Sequence, residues 1–116
     1  MSSRIQPELE ATAGQWRYIS CDCYVRLPSA IRVVITQECE ACGNTNLVFI
    51  HTLEHEQTEK QIQVGIECAR ILAGDWEVPQ LAENETKRKE RWRRERYGTP
   101  GRCVTTVQNL IDKGKI

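Results

Sequence analysis

Aromatic side chains are scarce in this chain: one Phe, three Tyr and three Trp among 116 residues. With 40% of residues hydrophobic an apolar core can form, but it is thin, and small cores of this kind are often supplemented by a metal. Long hydrophobic runs are missing too. No stretch approaches the ~20 apolar residues that span a bilayer. The opening Met-Ser-Ser-Arg-Ile-Gln-Pro-Glu has no apolar signal segment, so a cytoplasmic protein without membrane contact is expected. G-x-S-x-G and P-loop motifs are absent, which removes two common enzyme signatures. The length suits one domain.

Net charge is also absent, yet the balance hides a division. Residues 1–86 carry six Lys/Arg against thirteen Asp/Glu, a net −7, and residues 87–116 carry ten against three, a net +7. Such asymmetry points to a charged partner or to complementarity within the fold.

Hydrophobic alternation and turn residues outline the elements. Residues 1–14 read as a flexible leader, and 15–116 as a single domain with a zinc core at 37–74 and a basic helix at 79–97. From Trp16 to Leu27 the pattern alternates, placing Ile19, Cys21, Cys23, Val25 and Leu27 on one side of a strand. Ile31 to Gln37 is rich in β-branched residues and reads as a second strand. A hairpin follows, with Leu47, Phe49, His51, Leu53 and His55 on one face, a polar turn at 56–60 and a return over 61–64. Gly65 opens a helix from Ile66 to Ala73 that Gly74 closes. A second helix is predicted from Pro79, suited to a first helical position, to about Arg96, then a strand from Cys103 to Val107 and a polar tail. These elements predict a small α+β, treble-clef-like domain with an antiparallel sheet and two helices.

What is present in quantity is cysteine, six in all. In a reducing compartment closely spaced cysteines bind metal more often than they form disulfides. Cys39-Glu-Ala-Cys42-Gly43 has the form of a zinc knuckle: a two-residue spacer aims both sulfurs at one ion, and glycine tolerates the turn that follows. Cys68 then falls in the first turn of a helix after a hairpin, where the helix N-terminus favours thiolate. Knuckle, hairpin and ligand-bearing helix in that order is the layout of a treble-clef site, and one structural Zn²⁺ on Cys39, Cys42 and Cys68 is expected. For the fourth ligand His55 is the first choice, with Cys21 and Cys23 as competitors. His51 lies ~13 Å from His55 along an extended strand, so both cannot reach one ion. Cys103 reads as a core residue.

Cys39-x-x-Cys42-Gly43, Thr52-Leu53-Glu54-His55, Val64-Gly65-x-x-Cys68-Ala69, Gly74-Asp75-Trp76 and the Lys/Arg-rich helix together resemble a family of small, uncharacterised bacterial and phage-type proteins regarded as zinc-binding. The resemblance spans roughly residues 37–97. It implies ligand roles for Cys39, Cys42, His55 and Cys68, whereas the further Cys of many members is replaced here by Ile66. It brings no reaction with it.

Three cysteines and a histidine would close the zinc shell, and closed, cysteine-rich sites are structural rather than catalytic. His51-Thr-Leu-Glu-His55 lacks the H-E-x-x-H of metalloproteases, and the H-x-E of zinc deaminases is missing. A non-enzymatic binding protein is therefore expected, without a small-molecule substrate. Lys87, Arg88, Arg91, Trp92 and Arg94 form its candidate partner surface. Leu81 and Trp92 lie three helical turns apart and are expected to dock the helix. Acid–base pairs at Glu83–Lys87, Glu85–Lys89 and Glu90–Arg94 support it. A protein partner is the first expectation, in keeping with a phage- or plasmid-borne inhibitor of a host defence complex. Phosphate binding by the same stripe, hence nucleic acid, is the alternative.

Overall fold

The computed structural model describes residues 5–25, 38–44, 47–96 and 101–116. A one-turn helix α1 (Pro7–Glu10) precedes strand β1 (Trp16–Val25), and the knuckle segment leads into the hairpin of β2 (Phe49–His55) and β3 (Gln61–Val64). Helices α2 (Ile66–Ala73) and α3 (Glu77–Arg96) follow, then β4 (Gly101–Thr106) and α4 (Val107–Asp112). The four strands form one antiparallel sheet in the order β3-β2-β1-β4. The strand expected over 31–37 lies outside the described residues.

β1 departs from simple alternation. Tyr18 pairs with Leu53 but Ser20 with Thr52, so one extra residue, Ile19, is inserted between them as a β-bulge. The bulge moves the inward parity from even to odd numbers: Trp16, Tyr18, Cys21 and Cys23 are all buried. Ile19 therefore does not share a face with Cys21 and Cys23 as simple alternation predicts. β2 behaves as expected, with His51, Leu53 and His55 buried and Phe49 partly so. Val64 and Ile62 stand opposite His51 and Leu53. Cys68, Ala69 and Leu72 of α2 cover this part of the sheet.

α3 lies across β1 and β4 and begins two residues earlier than Pro79, because Asp75 Oδ1 accepts hydrogen bonds from Glu77 N (2.9 Å) and Val78 N (3.1 Å). It docks by a stripe unlike the predicted one. Ala82, Glu85 and Thr86 are buried, and Lys89 Nζ donates to Val104 O at 2.8 Å. Leu81 and Trp92 sit roughly a quarter turn away from this stripe at 100° per residue; Leu81 packs at the core's margin and Trp92 stays 51% exposed.

Polar contacts replace part of the missing apolar core beneath α3. Thr86 Oγ1 lies 2.8 Å from Thr105 Oγ1 and donates to neighbouring oxygen. The Tyr18 hydroxyl lies 2.7 Å from His51 Nδ1, and His51 Nε2 lies 3.3 Å from Glu83 Oε1. Burial pushes the Tyr18 hydroxyl up, so it stays protonated and donates to Nδ1; Nε2–H is then left to donate to Glu83. Burial alone would raise the Glu83 carboxyl, but His51 and Lys87 outweigh it and hold it below its ordinary value.

Both chain ends contribute more than the sequence patterns imply. In the segment read as a leader, Gln6 N donates to Ala41 O at 2.9 Å, Ile5 and Leu9 pack on the core, and Trp16 Nε1 donates to Thr12 Oγ1 at 2.8 Å. Instead of a polar tail, the C-terminus forms α4, with a reciprocal cap between Thr106 and Asn109 and a fully buried Leu110. Leu110→Ala is expected to lower unfolding free energy by about 2–4 kcal/mol in urea titration; a loss below ~0.5 kcal/mol, the scale of surface substitutions, would show that α4 does not pack as described.

Glu85 pairs with Arg88 on its own helix and with Lys113 at the end of α4, and the second pair ties α3 to α4. These partners lower its carboxyl from 4.5 to about 2. A folded-state value below the unfolded one gives stability that is present above about pH 4.3 and lost as pH falls towards the folded value. Both bases are exposed, so the contribution is screened to no more than roughly 1 kcal/mol. Glu85→Gln should therefore destabilise the protein by up to that amount at neutral pH, the gap to wild type closing as melts are repeated between pH 4.5 and about 2.

Candidate metal centre

The knuckle is built around two backbone hydrogen bonds. Gly43 N donates to Cys39 O at 2.9 Å, and Cys39 N donates to Asn44 O at 2.8 Å. Gly43 has φ +78°, in the left-handed region that glycine enters without strain. Glu40 N donates to Gln63 O at 2.9 Å, and the Glu40 carboxylate accepts from Gln63 N. These contacts seat the knuckle against the end of β3, from which the chain passes through Gly65 into α2. A Cβ at Gly65 would meet Leu47 Cδ2 at 3.0 Å, so a larger residue there would require the Leu47 side chain to shift.

Cys68 is the third residue of α2, and its sulfur meets those of Cys39 and Cys42. All three sulfurs lie within 4.8 Å of one another. Thiolates at ≈ 2.3 Å around a tetrahedral ion would stand ~3.8 Å apart, so a small closure of side chains suffices to hold one. Cys39 and Cys68 are buried and Cys42 half-buried. The cluster could hold a metal ion, and its donors suit a soft or borderline one.

The sulfurs are electrostatically prepared. Hydrogen bonding from Cys68 holds the Cys39 thiol below its ordinary value despite burial, with further help from the Gly65, Cys42 and Ala41 N–H groups. Gly65 N lies 3.4 Å from Cys39 Sγ. Cys68 is correspondingly pushed up, first by its bond to Cys39 and then by burial. Cys39 is thus the more readily ionised of the two, first through its bond with Cys68 and then through the backbone donors. A divalent cation would displace the thiol protons and allow all three sulfurs to ionise.

No protein family, curated protein or solved structure matches this chain.

The expected fourth ligand, His55, is not in the cluster. It stands at the closed end of the hairpin, whereas the sulfurs gather at the open end, where β3 enters α2. His55 Nδ1 accepts from Gln57 N and Thr58 N at 3.2 and 3.3 Å, and its Nε2 lies 3.3 Å from Gln15 Oε1. Its ring meets Trp16 edge-on at 5.0 Å. His55 thus organises the turn. The competitors are committed elsewhere as well. Cys21 is buried beneath α3, which pushes its thiol up to about 12 against a hydrogen bond with Thr86. Cys23 stands opposite Cys103 on the β1–β4 side of the sheet.

The basic surface is partly consumed within the fold. Lys87 Nζ pairs with Glu83 at 3.4 Å and sits 5.3 Å over the Phe49 ring. Arg88 pairs with Glu85. Arg91 and Trp92 remain exposed, and the Arg94 side chain lies outside the description. The Glu83–Lys87 pair forms as predicted; Glu85–Lys89 does not, because Glu85 turns to Arg88 and Lys113. Sequence patterns gave no sign of the Tyr18–His51–Glu83 chain, since its members come from three elements. The Thr106–Asn109 cap was hidden because Asn replaces the usual Glu or Gln of a capping box.

A structural metal of this kind would supply ~10–16 kcal/mol of apparent binding energy, comparable with the entire ~5–15 kcal/mol stability of a domain. Chelation, or double substitution of Cys39 and Cys42 by serine, is expected to abolish cooperative melting followed by circular dichroism. Full cooperative melting of the chelated protein at an unchanged temperature would contradict a structural role.

Proposed function

We propose that the chain is a non-enzymatic, zinc-stabilised interaction module of treble-clef-like design, whose partner is another protein. The observation that carries the metal reading is the meeting of the Cys39, Cys42 and Cys68 sulfurs within 4.8 Å, from a knuckle and a helix start joined by a hairpin. Zinc suits the set because thiolate ligands in a compact turn-and-helix frame favour tetrahedral coordination.

A structural role is supported by the cluster's surroundings. Two of the nearby carboxylates are engaged, Glu40 with the Gln63 amide and Glu67 with Arg70 at 3.6 Å, so neither of these is poised as a general base. His51 serves the α3 interface instead. For the partner, the internal pairing of Lys87 and Arg88 and the Lys89–Val104 contact leave less positive charge for phosphate than the sequence implied. Exposed Arg91 and Trp92 are residue types that dominate protein interfaces.

The test compares wild type with Arg91→Ala and Trp92→Ala. Zinc analysis should find one ion per chain. Co-purification from the native host should yield a stoichiometric protein that survives nuclease treatment, with affinity weakened at least ~10-fold by either substitution, about 1.4 kcal/mol, at unchanged melting temperature. Binding that is lost to nuclease and falls linearly in log affinity with log salt would instead support the nucleic-acid reading.

A further inference from the structure

A tetrahedral zinc takes four ligands, and a structural site ordinarily draws all four from the protein. The chain has six Cys and two His, and every one of them is among the described residues, so the sulfur and imidazole donors can be accounted for completely. Three sulfurs form the cluster. Cys21 is beneath α3 with Thr86, and Cys23 and Cys103 face one another across β1 and β4, at the opposite side of the sheet from β3 and the start of α2. His51 uses its two nitrogens towards Tyr18 and Glu83, and His55 uses its own towards the turn amides and Gln15. Among the described residues no carboxylate joins the three sulfurs either.

From this inventory we infer that the centre holds its metal by three protein thiolates and keeps the fourth position for a neutral exogenous ligand, water at rest and an imidazole in exchange. The inference rests on the zinc reading above and specifies its coordination. Charge selects the ligand class. A divalent ion with three thiolates already carries a net −1, so a further anion enters against repulsion while a neutral donor does not. Glu38 and Glu40 flank Cys39, which deepens the negative surroundings. Access exists at Cys42, the half-buried member of the three. A nitrogen donor of the imidazole type, such as a histidine side chain offered by another molecule, meets all three requirements of neutrality, affinity for zinc and reach.

The test uses the full chain loaded with Co²⁺, whose thiolate charge-transfer intensity counts the sulfurs and whose visible d–d bands report geometry. Imidazole and azide are titrated separately. The expected result is three-thiolate intensity, a saturable shift of the d–d bands with imidazole while cobalt stays bound, and a weaker response to azide. His55→Gln should leave the starting spectrum unchanged; if that variant does not fold, the wild-type titration decides alone. Four-thiolate intensity, bands inert to imidazole, cobalt stripped without a shifted bound spectrum, azide binding as tightly as imidazole, or bands altered by His55→Gln would each overturn the open position while leaving metal binding intact. Failure to take up cobalt or zinc at all would overturn the metal reading itself.

Discussion

Three sulfurs held within 4.8 Å of one another impose the constraint on which this fold turns. Ionised together, they repel; protonated, they bond only weakly. The backbone nevertheless brings them together from two directions, with the knuckle tied to β3 through Glu40 and Gln63 and to the N-terminal segment through Gln6 and Ala41. Gly65 allows the close approach and supplies an N–H to Cys39. The bond between Cys39 and Cys68 and the amide donors on Cys39 partly offset the repulsion. A divalent cation bound by the three sulfurs would remove it and fasten the hairpin to α2.

The other half of the sheet solves a different problem. With few large apolar residues available, β1 and β4 present Cys21, Cys23, Cys103 and Thr105 to a helix whose docking stripe is Ala82, Glu85, Thr86 and Lys89. Such an interface is stable only when its polar groups find partners, since each one buried without a bond costs ~1–3 kcal/mol. Thr86 with Thr105, Lys89 with the Val104 carbonyl, and the Tyr18–His51–Glu83 chain meet that requirement. Directional bonds of this kind also fix the helix more uniquely than apolar contact would.

Part of the opposed charge of the two parts of the chain is met within the fold. Glu83 and Glu85, the last acids of the negative part, take Lys87, Arg88 and Lys113 from the positive part. Arg91 and Trp92 of the same helix are exposed. A run of basic residues in a helix therefore overstates its capacity for phosphate until the acids one turn away have been counted.

Local patterns alone determined a good part of this protein. The hairpin face of Phe49, His51, Leu53 and His55, the helix from Ile66 to Ala73 with its closing glycine, and the three clustered cysteines are legible because each follows from a short-range period, a turn residue or a ligand spacing. Tertiary structure decided the rest. The bulge at Ile19 changes the inward face of β1 with no sequence mark, because any residue can be the extra one. α3 docks by polar residues whose role exists only opposite β1 and β4, and α4 forms because Leu110 finds the core. His55, placed beside the metal by motif, sits instead at the hairpin's far end: strand spacing is fixed at ~3.3 Å per residue, and the sulfurs meet where β3 ends.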